Sequence, residues 1–203
     1  MNTQFHIMIL LFITQMAGLG AFSSSLTDKI KDNDFTLRHT ELIVRGNISG
    51  QAGRQRFLDG SSEIIEGECN IKNGTLPKNE AFIFNEIAVN YGTAATAIEP
   101  GAVSYDKKAI EGLRNSTFYI EQNGRRVLKI PVKTLHNPYT VSNKQDEYTQ
   151  LLNLAYLADD IAMEWGFEYP KAGGIPAGAD QANGHHYAEV YLRGLSTVDR
   201  PKA

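Results

Sequence analysis

From Phe35 to the end of the chain, short runs of β-branched and aromatic residues are separated by clusters of Gly, Pro and Asn. Runs of this length and composition, with such boundaries, are typical of β-strands. The pattern predicts eight strands, which cover Thr36–Ile48, Arg54–Leu58, Glu63–Ile71, Phe82–Tyr91, Ser116–Gln122, Arg125–Val132, Ile161–Tyr169 and His186–Val198. The fifth and sixth flank Asn123-Gly124, the preferred dipeptide of a type I′ turn, and are expected to form a tight hairpin.

Helical spacing of apolar residues occurs in two places. Lys107–Arg114 is predicted to form a two-turn helix. In Glu147–Asp160 the apolar residues fit a helix as well as a strand, and a helix is the favoured interpretation. Gly92–Val103 and Pro170–Gly184 are rich in Gly, Pro and Ala, and they are predicted to be long loops.

The order of these elements predicts an all-β fold. Strands follow one another without the βαβ alternation of parallel sheets, which favours an antiparallel sandwich or barrel of the single jelly-roll type with one or two short helices. The 203 residues suffice for one domain with a sizeable core. We therefore place a single β-sandwich domain at residues 35–203, with Trp165 buried against Phe167 or neighbouring aromatic residues.

Residues 1–34 form a separate segment, in which an apolar stretch, Ile7–Phe22, is followed by a polar connector. The stretch is similar to a secretory signal peptide, but Met1–His6 lacks the Lys or Arg that such peptides carry. It is shorter than the roughly 20 apolar residues of a transmembrane helix. Three interpretations stay open, namely a retained apolar contact helix, a cleaved signal peptide and a membrane anchor.

As a helix, this stretch carries apolar side chains on nearly all sides, so a single domain cannot cover all of them. We expect the helix to bury itself against a partner chain or in a membrane, and to drive association rather than folding. The side chains expected to make this contact are Ile7, Leu10, Leu11, Phe12, Ile13, Met16 and Leu19.

Charge and cysteine content narrow the classes of function. The formal net charge of −3 argues against a protein whose main task is to grip nucleic acid, because that task needs a basic face or arm. The single cysteine, Cys69, cannot form an internal disulfide and has no basic neighbour that would lower the pKa of its thiol. We interpret Cys69 as a core or sheet residue rather than a nucleophile.

A first candidate site is His185-His186, with Asp180 and Glu189 nearby in the sequence. Neutral imidazoles bind transition metals. Adjacent strand residues point to opposite faces, however, so both histidines cannot readily serve one ion. The pair is interpreted as the junction of a loop and a strand.

Two further clusters are charged. Paired carboxylates are typical of glycosidases, and the candidates are Asp159, Asp160, Glu164 and Glu168. Their alternation with apolar residues is also that of a half-exposed strand. The basic residues of the hairpin region, which we interpret as protection of a sheet edge, are Arg125, Arg126, Lys129 and Lys133. The sequence therefore predicts no catalytic, cofactor, metal or specific nucleic-acid site, and a protein that is not an enzyme.

Four segments carry a resemblance to a known class of protein. They are Asn47-Ile48-Ser49-Gly50, Phe82–Gly92, the hairpin Phe118–Arg126 and the final run Tyr187–Gly194. In their order and composition, residues 35–198 resemble the jelly-roll capsid proteins of tail-less icosahedral bacteriophages. The resemblance implies a virion protein that self-assembles with further capsid subunits in the host cytoplasm and needs no cofactor.

The chain departs from this class at its N-terminus. Many capsid proteins that touch the genome carry a basic N-terminal arm, whereas the corresponding segment here is apolar. This departure predicts contact with an internal membrane or with another subunit. The alternative function is a secreted β-sandwich module that binds carbohydrate or a surface. The signal-like N-terminus supports this alternative, and so do the long loops, because loops commonly carry binding residues.

Overall fold

A computed structural model of the chain describes residues 3–137, 147–171, 173–177 and 184–200. Strands are the main regular structure, at 44% against 18% for helices, and they form two antiparallel four-stranded sheets, which confirms the predicted all-β sandwich. The strands are β1 Phe35–Asn47, β2 Arg54–Leu58, β3 Phe82–Ala94, β4 Thr117–Gln122, β5 Arg125–Pro131, β6 Thr149–Leu157, β7 Met163–Glu168 and β8 His185–Asp199. The helices are α1 Thr3–Gly18, α2 Ser24–Lys31, α3 Glu111–Arg114 and α4 Val132–Leu135, and Pro100–Ala102 forms a 3-10 turn.

The first sheet has the strand order β1-β8-β3-β6, and the second has the order β2-β7-β4-β5. The edge strands β1 and β2 therefore lie on one side of the sandwich, and β6 and β5 lie on the opposite side. The two long strands β1 and β8 pair over their whole length, from Phe35 opposite Asp199 to Asn47 opposite Tyr187.

The core between the sheets is rich in aromatic side chains. Trp165 is fully buried, as predicted, and meets Phe118 edge to face with ring centroids 6.2 Å apart. Phe118 also contacts Phe167 at 5.5 Å, and Phe82 stacks on Phe84 at 5.5 Å. Large rings fill the space between two sheets efficiently because each buries much apolar area on a stiff side chain.

The predicted helix at Glu147–Asp160 is wrong, because residues Thr149–Leu157 form strand β6. The ladder between β3 and β6 shifts at one point, since Phe84 pairs with Ala155 whereas Glu86 pairs with Gln150. Residues 151–154 thus face a single residue of β3 and bulge away from it. This bulge interrupts the alternation of buried and exposed positions. The strand therefore tolerates a spacing of leucines that resembles the spacing of a helix.

The predicted strand Glu63–Ile71 is also wrong. Its residues form turns, and they touch the sheet through isolated bridges, of which one joins Cys69 to Val44. Gly67 has a φ of 79°, a left-handed conformation that breaks an extended strand. The predicted two-turn helix Lys107–Arg114 is shortened to the single turn of α3.

The predicted hairpin at Asn123-Gly124 is confirmed. Both residues have positive φ, 51° and 69°, and Gln122 pairs with Arg125 across a two-residue loop. These angles are those of a type I′ turn, whose twist matches that of the flanking strands.

We expect Gly124→Val to lower the free energy of unfolding by about 1–2 kcal/mol, because a β-branched residue resists the left-handed conformation. No atom lies within 4 Å of the position of a new Cβ, so the backbone alone is responsible for this cost. Gly60 is similarly open and lacks a positive φ, which makes Gly60→Val the matched control. Equal urea midpoints for the two variants would contradict the assignment of the turn.

A second apolar cluster lies on the outer face of the first sheet. Helices α1 and α2 cover this face, and Ile9, Ile13 and Leu26 of the helices pack with Ile83 and Leu195 of the sheet. All five side chains are buried. Among the described helices, none combines the length and the apolar character that crossing a membrane requires.

Candidate functional site

Helix α1 divides its seven predicted contact residues between two faces. Ile13 is fully buried, and Leu10, Phe12 and Met16 are partly buried against the second cluster. On the opposite side of the helix, Ile7 and Leu11 are 51% and 67% exposed, and Leu19, in the turn that directly follows α1, is 72% exposed. Met8 joins them at 46% exposure. We call Ile7, Met8, Leu11 and Leu19 the outer stripe of α1.

The surface that receives the buried face of α1 was not predicted from the sequence. The outer face of the first sheet is apolar at one end, where Ile83 of β3 pairs with Leu195 of β8 and Phe35 of β1 belongs to the same cluster. Tyr156 of β6 completes this end through edge-to-face contacts with Phe12 and Phe22. Phe82-Ile83-Phe84, where consecutive residues are apolar, is the signal that both faces of this strand are covered.

The connector between α1 and α2 is fixed to the sandwich by Asp159. The carboxylate of this fully buried residue accepts hydrogen bonds from the backbone N–H groups of Ser23 and Asn79, each at 3.0 Å, and from the Ser23 hydroxyl. The Ser23 hydroxyl in turn caps α2 by accepting from the backbone N–H of Leu26. Asp159 thus has a structural role and leaves the set of candidate catalytic carboxylates.

The candidate metal residues do not come together. His186 points into the sandwich, where Nδ1 lies 2.5 Å from the hydroxyl of Tyr91, whereas Glu189 is on the outer face of the same strand. Glu189 pairs there with Arg45 and accepts a hydrogen bond from Asn90. Asp180 lies outside the described residues. Among the residues that are described, no group of three ligands has the arrangement of a metal site.

Glu164 and Glu168 lie on the outer face of the second sheet, with Trp165 directed into the core as predicted. Each carboxylate is shared by two cations. Glu164 pairs with Arg54 at 2.7 Å and Arg56 at 2.9 Å. Glu168 pairs with Arg126 at 2.6 Å and with Lys129 at 2.8 Å. Asp160 precedes β7 and belongs to neither group.

This pairing determines the charge state of both carboxylates. Burial acts to raise the pKa of Glu164, but hydrogen bonds from Tyr119 and Arg54 outweigh it, and the net shift is downward. Hydrogen bonds from Lys129 and Arg126 lower the pKa of Glu168. A glycosidase needs one carboxylic acid with a raised pKa as proton donor. Neither group meets this requirement, so the pair is unsuited to acid–base catalysis.

Tyr119 is the centre of this ion-paired face. The guanidinium groups of Arg54 and Arg126 lie over its ring, 4.7 Å and 4.2 Å from the centroid. The ring in turn rests on Gly166, where an added Cβ would come within 2.5 Å of the Tyr119 hydroxyl and 2.2 Å of the carbonyl oxygen of Gln55. The glycine therefore makes room for a cation–π stack that covers the sheet.

The four basic residues of the hairpin region separate into two pairs. Arg126 and Lys129 belong to the ion-paired face. Arg125 and Lys133 are exposed, and within the described part of the chain no carboxylate lies within ion-pair distance of either. Cys69 is half-buried, its thiol donates to the carbonyl of Ile71, and burial raises its pKa. This environment is that of a structural cysteine.

The sequence analysis did not single out His136, which is buried between β3 and α4. Its Nε2 accepts a hydrogen bond from the backbone N–H of Ala109 at 2.9 Å, and its Nδ1 lies 2.9 Å from the carbonyl oxygen of Val89. This arrangement requires the neutral imidazole with the proton on Nδ1. Burial lowers the pKa of His136, and burial likewise lowers that of His186.

We expect the protein to lose stability as the pH falls from 7.5 to 5.5. In the unfolded chain a histidine titrates near its ordinary pKa of about 6.5, so on acidification the unfolded state takes up protons before the folded state does. The loss has an upper limit of about 1.4 kcal/mol per pH unit for each buried histidine. Urea unfolding at several pH values measures the slope.

A matched pair of variants tests whether His136 causes the pH dependence of the free energy of unfolding. His136→Gln is expected to reduce the pH dependence, whereas His39→Gln, at an exposed position, is expected to leave it unchanged. The comparison uses slopes rather than absolute stabilities, so a general loss of stability in His136→Gln does not obscure the result. Stability that is constant or rises between pH 7.5 and 5.5 would contradict the role of the buried histidines.

The described surfaces thus offer an outer stripe on α1 and an ion-paired sheet face. Comparison with known proteins adds no relative to this picture, since no family model, no curated protein and no solved structure matches the chain.

Proposed function

We propose that this chain is a capsid subunit, a viral structural protein that self-assembles into an icosahedral shell in the host cytoplasm. In this proposal the outer stripe of α1 contacts either another subunit or an internal membrane. The observation that carries the proposal is this stripe, which presents Ile7, Leu11 and Leu19 to solvent on a helix whose other face is anchored to the sandwich. Large exposed apolar patches are typical of association surfaces.

The strand pairing supports the jelly-roll part of the proposal. Within the sheets, β1 pairs with β8, β2 with β7, β3 with β6 and β4 with β5. Such nested pairing arises when one long antiparallel hairpin is wrapped into two layers. Viral capsid domains are among the proteins built in this way, together with lectins and cupins. Because one fold hosts many functions, the topology narrows the range of possible functions but does not identify one of them.

The electrostatics of the second sheet support a structural role. Its outer face carries cations and anions that neutralise each other, and the lowered pKa values of Glu164 and Glu168 keep both groups ionised. A surface of this kind attracts neither a polyanion nor a polycation. This agrees with a shell protein whose contacts lie elsewhere.

Electron microscopy and light scattering of the purified full-length protein test the proposal. We expect closed particles or stable oligomers, and we expect Leu11→Asp, on the outer stripe, to reduce assembly strongly. Leu10→Ala, on the partly buried side of α1, is the comparison variant that keeps the stripe intact. A full-length protein that stays monomeric at high concentration would contradict the proposal.

N-terminal sequencing of the native protein separates the proposal from its alternative. A start at Met1 or Asn2 agrees with a capsid subunit that uses α1. A start near Ala21 or Phe22, combined with a monomeric state, would support a secreted β-sandwich binding module instead, because the helix would then be absent from the working protein.

A further inference from the structure

One edge of the sandwich carries a short ridge that combines apolar and acidic residues. Ile64 and Ile65 are 61% and 50% exposed, and the exposed Glu63 and Glu66 stand on either side of them. Within the described residues neither glutamate has an ion-pair partner. We call Glu63–Glu66 the acidic ridge.

The acidic ridge is held in place against β1. The backbones of Ile65 and Cys69 exchange hydrogen bonds at 3.0 Å and 2.9 Å. The backbone N–H of Arg45 donates to the carbonyl of Glu68 at 2.8 Å, and the Asn70 side chain accepts from Ile43 at 2.9 Å. Two exposed isoleucines are therefore presented on a fixed turn at the free edge of the first sheet.

The opposite edge of the sandwich contains a groove between β5 and β6. Its volume is about 970 Å3, and its apolar lining includes Phe12, Met16, Val127, Leu128, Ile130 and Leu154. Leu152, on the bulge of β6, stands at the groove and is completely exposed. We call this feature the edge groove.

Two cations at or beside the edge groove, Arg125 and Lys133, have no ion-pair partner among the described residues. Arg125 lines the groove, and Lys133 lies next to Thr134 of its lining. As described above, no carboxylate within the described part of the chain pairs with either residue. Arg126 also lines the groove, but Glu121 and Glu168 neutralise it.

The two edges are complementary in apolar character and in charge. The acidic ridge offers two apolar side chains between two anions that have no ion-pair partner among the described residues. The edge groove offers an apolar lining with Arg125 on it and Lys133 beside it, and neither of these cations has an ion-pair partner in the described ranges. Opposite charges of this kind orient partners and suppress wrong pairings. Because the ridge and the groove lie on opposite sides of the same sandwich, a chain cannot satisfy its own groove.

We propose that the acidic ridge of one copy docks into the edge groove of a second copy of this chain. The contact joins two different surfaces, so it is heterologous, and each added copy leaves one ridge and one groove free. Such contacts continue until the rotation between neighbours closes a ring. This inference rests on the proposed capsid function and names the contact by which neighbouring subunits would join side by side.

Two variants, each defective in one surface, test the contact. Ile64→Asp/Ile65→Asp disables the ridge, and Arg125→Glu/Leu152→Asp disables the groove. All four residues are exposed, so we expect both proteins to fold. Each alone is expected to form smaller species than the unaltered protein does at the same concentration.

An equimolar mixture gives the decisive readout. The ridge variant keeps a working groove and the groove variant keeps a working ridge. One ridge-to-groove contact therefore remains, and the two variants should associate with each other more strongly than either associates with itself. Ile98→Asp, at a 39% exposed position that belongs neither to the acidic ridge nor to the lining of the edge groove, is the control and should associate like the unaltered protein. A charge exchange, Glu63→Lys/Glu66→Lys mixed with Arg125→Glu/Lys133→Glu, should likewise restore pairing.

The outcomes separate the two proposals. Ridge and groove variants that still form the full assembly, or a mixture whose two variants do not associate, would overturn the ridge-to-groove contact. If the unaltered protein nevertheless forms particles, the capsid proposal remains valid. Rings or dimers that depend on the ridge and the groove, without any closed shell under the electron microscope, would support the contact and count against the capsid proposal.

Discussion

Replacement of Trp165 by alanine is expected to lower the free energy of unfolding by about 3–5 kcal/mol, the range found when a large aromatic core residue is truncated. The indole is fully buried between the sheets and meets Phe118 edge to face. Aromatic neighbours on stiff strands cannot move far into the space that the indole vacates, so most of the cavity would remain. Urea unfolding followed by circular dichroism measures the loss.

Trp165→Phe is the matched control. The Nε1 of Trp165 is buried without a hydrogen-bond partner, which is costly, and a phenyl ring removes that cost while keeping most of the volume. We therefore expect this variant to lose less than about 1.5 kcal/mol. If Trp165→Ala and Trp165→Phe have the same small effect, or if the native fluorescence of this single tryptophan is red-shifted and open to quenchers, the packing described here is contradicted.

Sequence patterns predicted those parts of the fold that depend on local chemistry. Asn123-Gly124 specifies its turn because the dipeptide adopts positive φ at both positions with little strain. The half-exposed strand that carries Glu164 and Glu168 followed from the alternation of these carboxylates with apolar residues. These features need no knowledge of distant residues.

The errors arose where a distant part of the chain decides the local structure. Strand β6 was mistaken for a helix because its bulge at 151–154 disturbs the alternation, and a bulge is set by pairing with β3. Glu63–Ile71 has strand-like composition, but turns at Ile65–Cys69 carry it along the edge of β1 instead. In both cases tertiary pairing overrides local preference.

The candidate surfaces show the same division. The sequence identified the acidic and basic residues as separate clusters, and it could not foresee that they neutralise each other, since that depends on the order of β2, β7, β4 and β5. Similarly, the apolar content of α1 was evident, but its division into a buried and an exposed face depends on the outer face of the first sheet. Arg54, which pairs with Glu121 and Glu164 on the ion-paired face, gave no signal in the sequence.

Removal of α1 is expected to prevent assembly of closed particles and to leave the sandwich folded. Deletion of residues 1–20 is the appropriate cut, because it keeps Ser23, which caps α2 and binds the buried Asp159. The core between the sheets is a separate cluster to which α1 contributes no residue. The truncated protein should therefore retain the fluorescence of buried Trp165 and melt cooperatively, with a lower melting temperature because Ile83 and Leu195 lose their cover.

Point variants on the two faces of α1 distinguish association from folding within the intact chain. Ile13→Ala, on the buried face, should cost about 2–5 kcal/mol of stability, the range for truncating a buried aliphatic residue, with little direct effect on the outer stripe. Leu11→Asp, on the exposed face, should leave the melting temperature nearly unchanged and weaken association. If the 1–20 deletion is unfolded, α1 belongs to the folding unit and the boundary before residue 35 is wrong. If the deletion and Leu11→Asp both assemble like the full-length protein, the outer stripe is not the association surface. Ile13→Ala should affect stability and Leu11→Asp should affect association, although the two positions are only two residues apart. A general disturbance of α1 would not produce this separation.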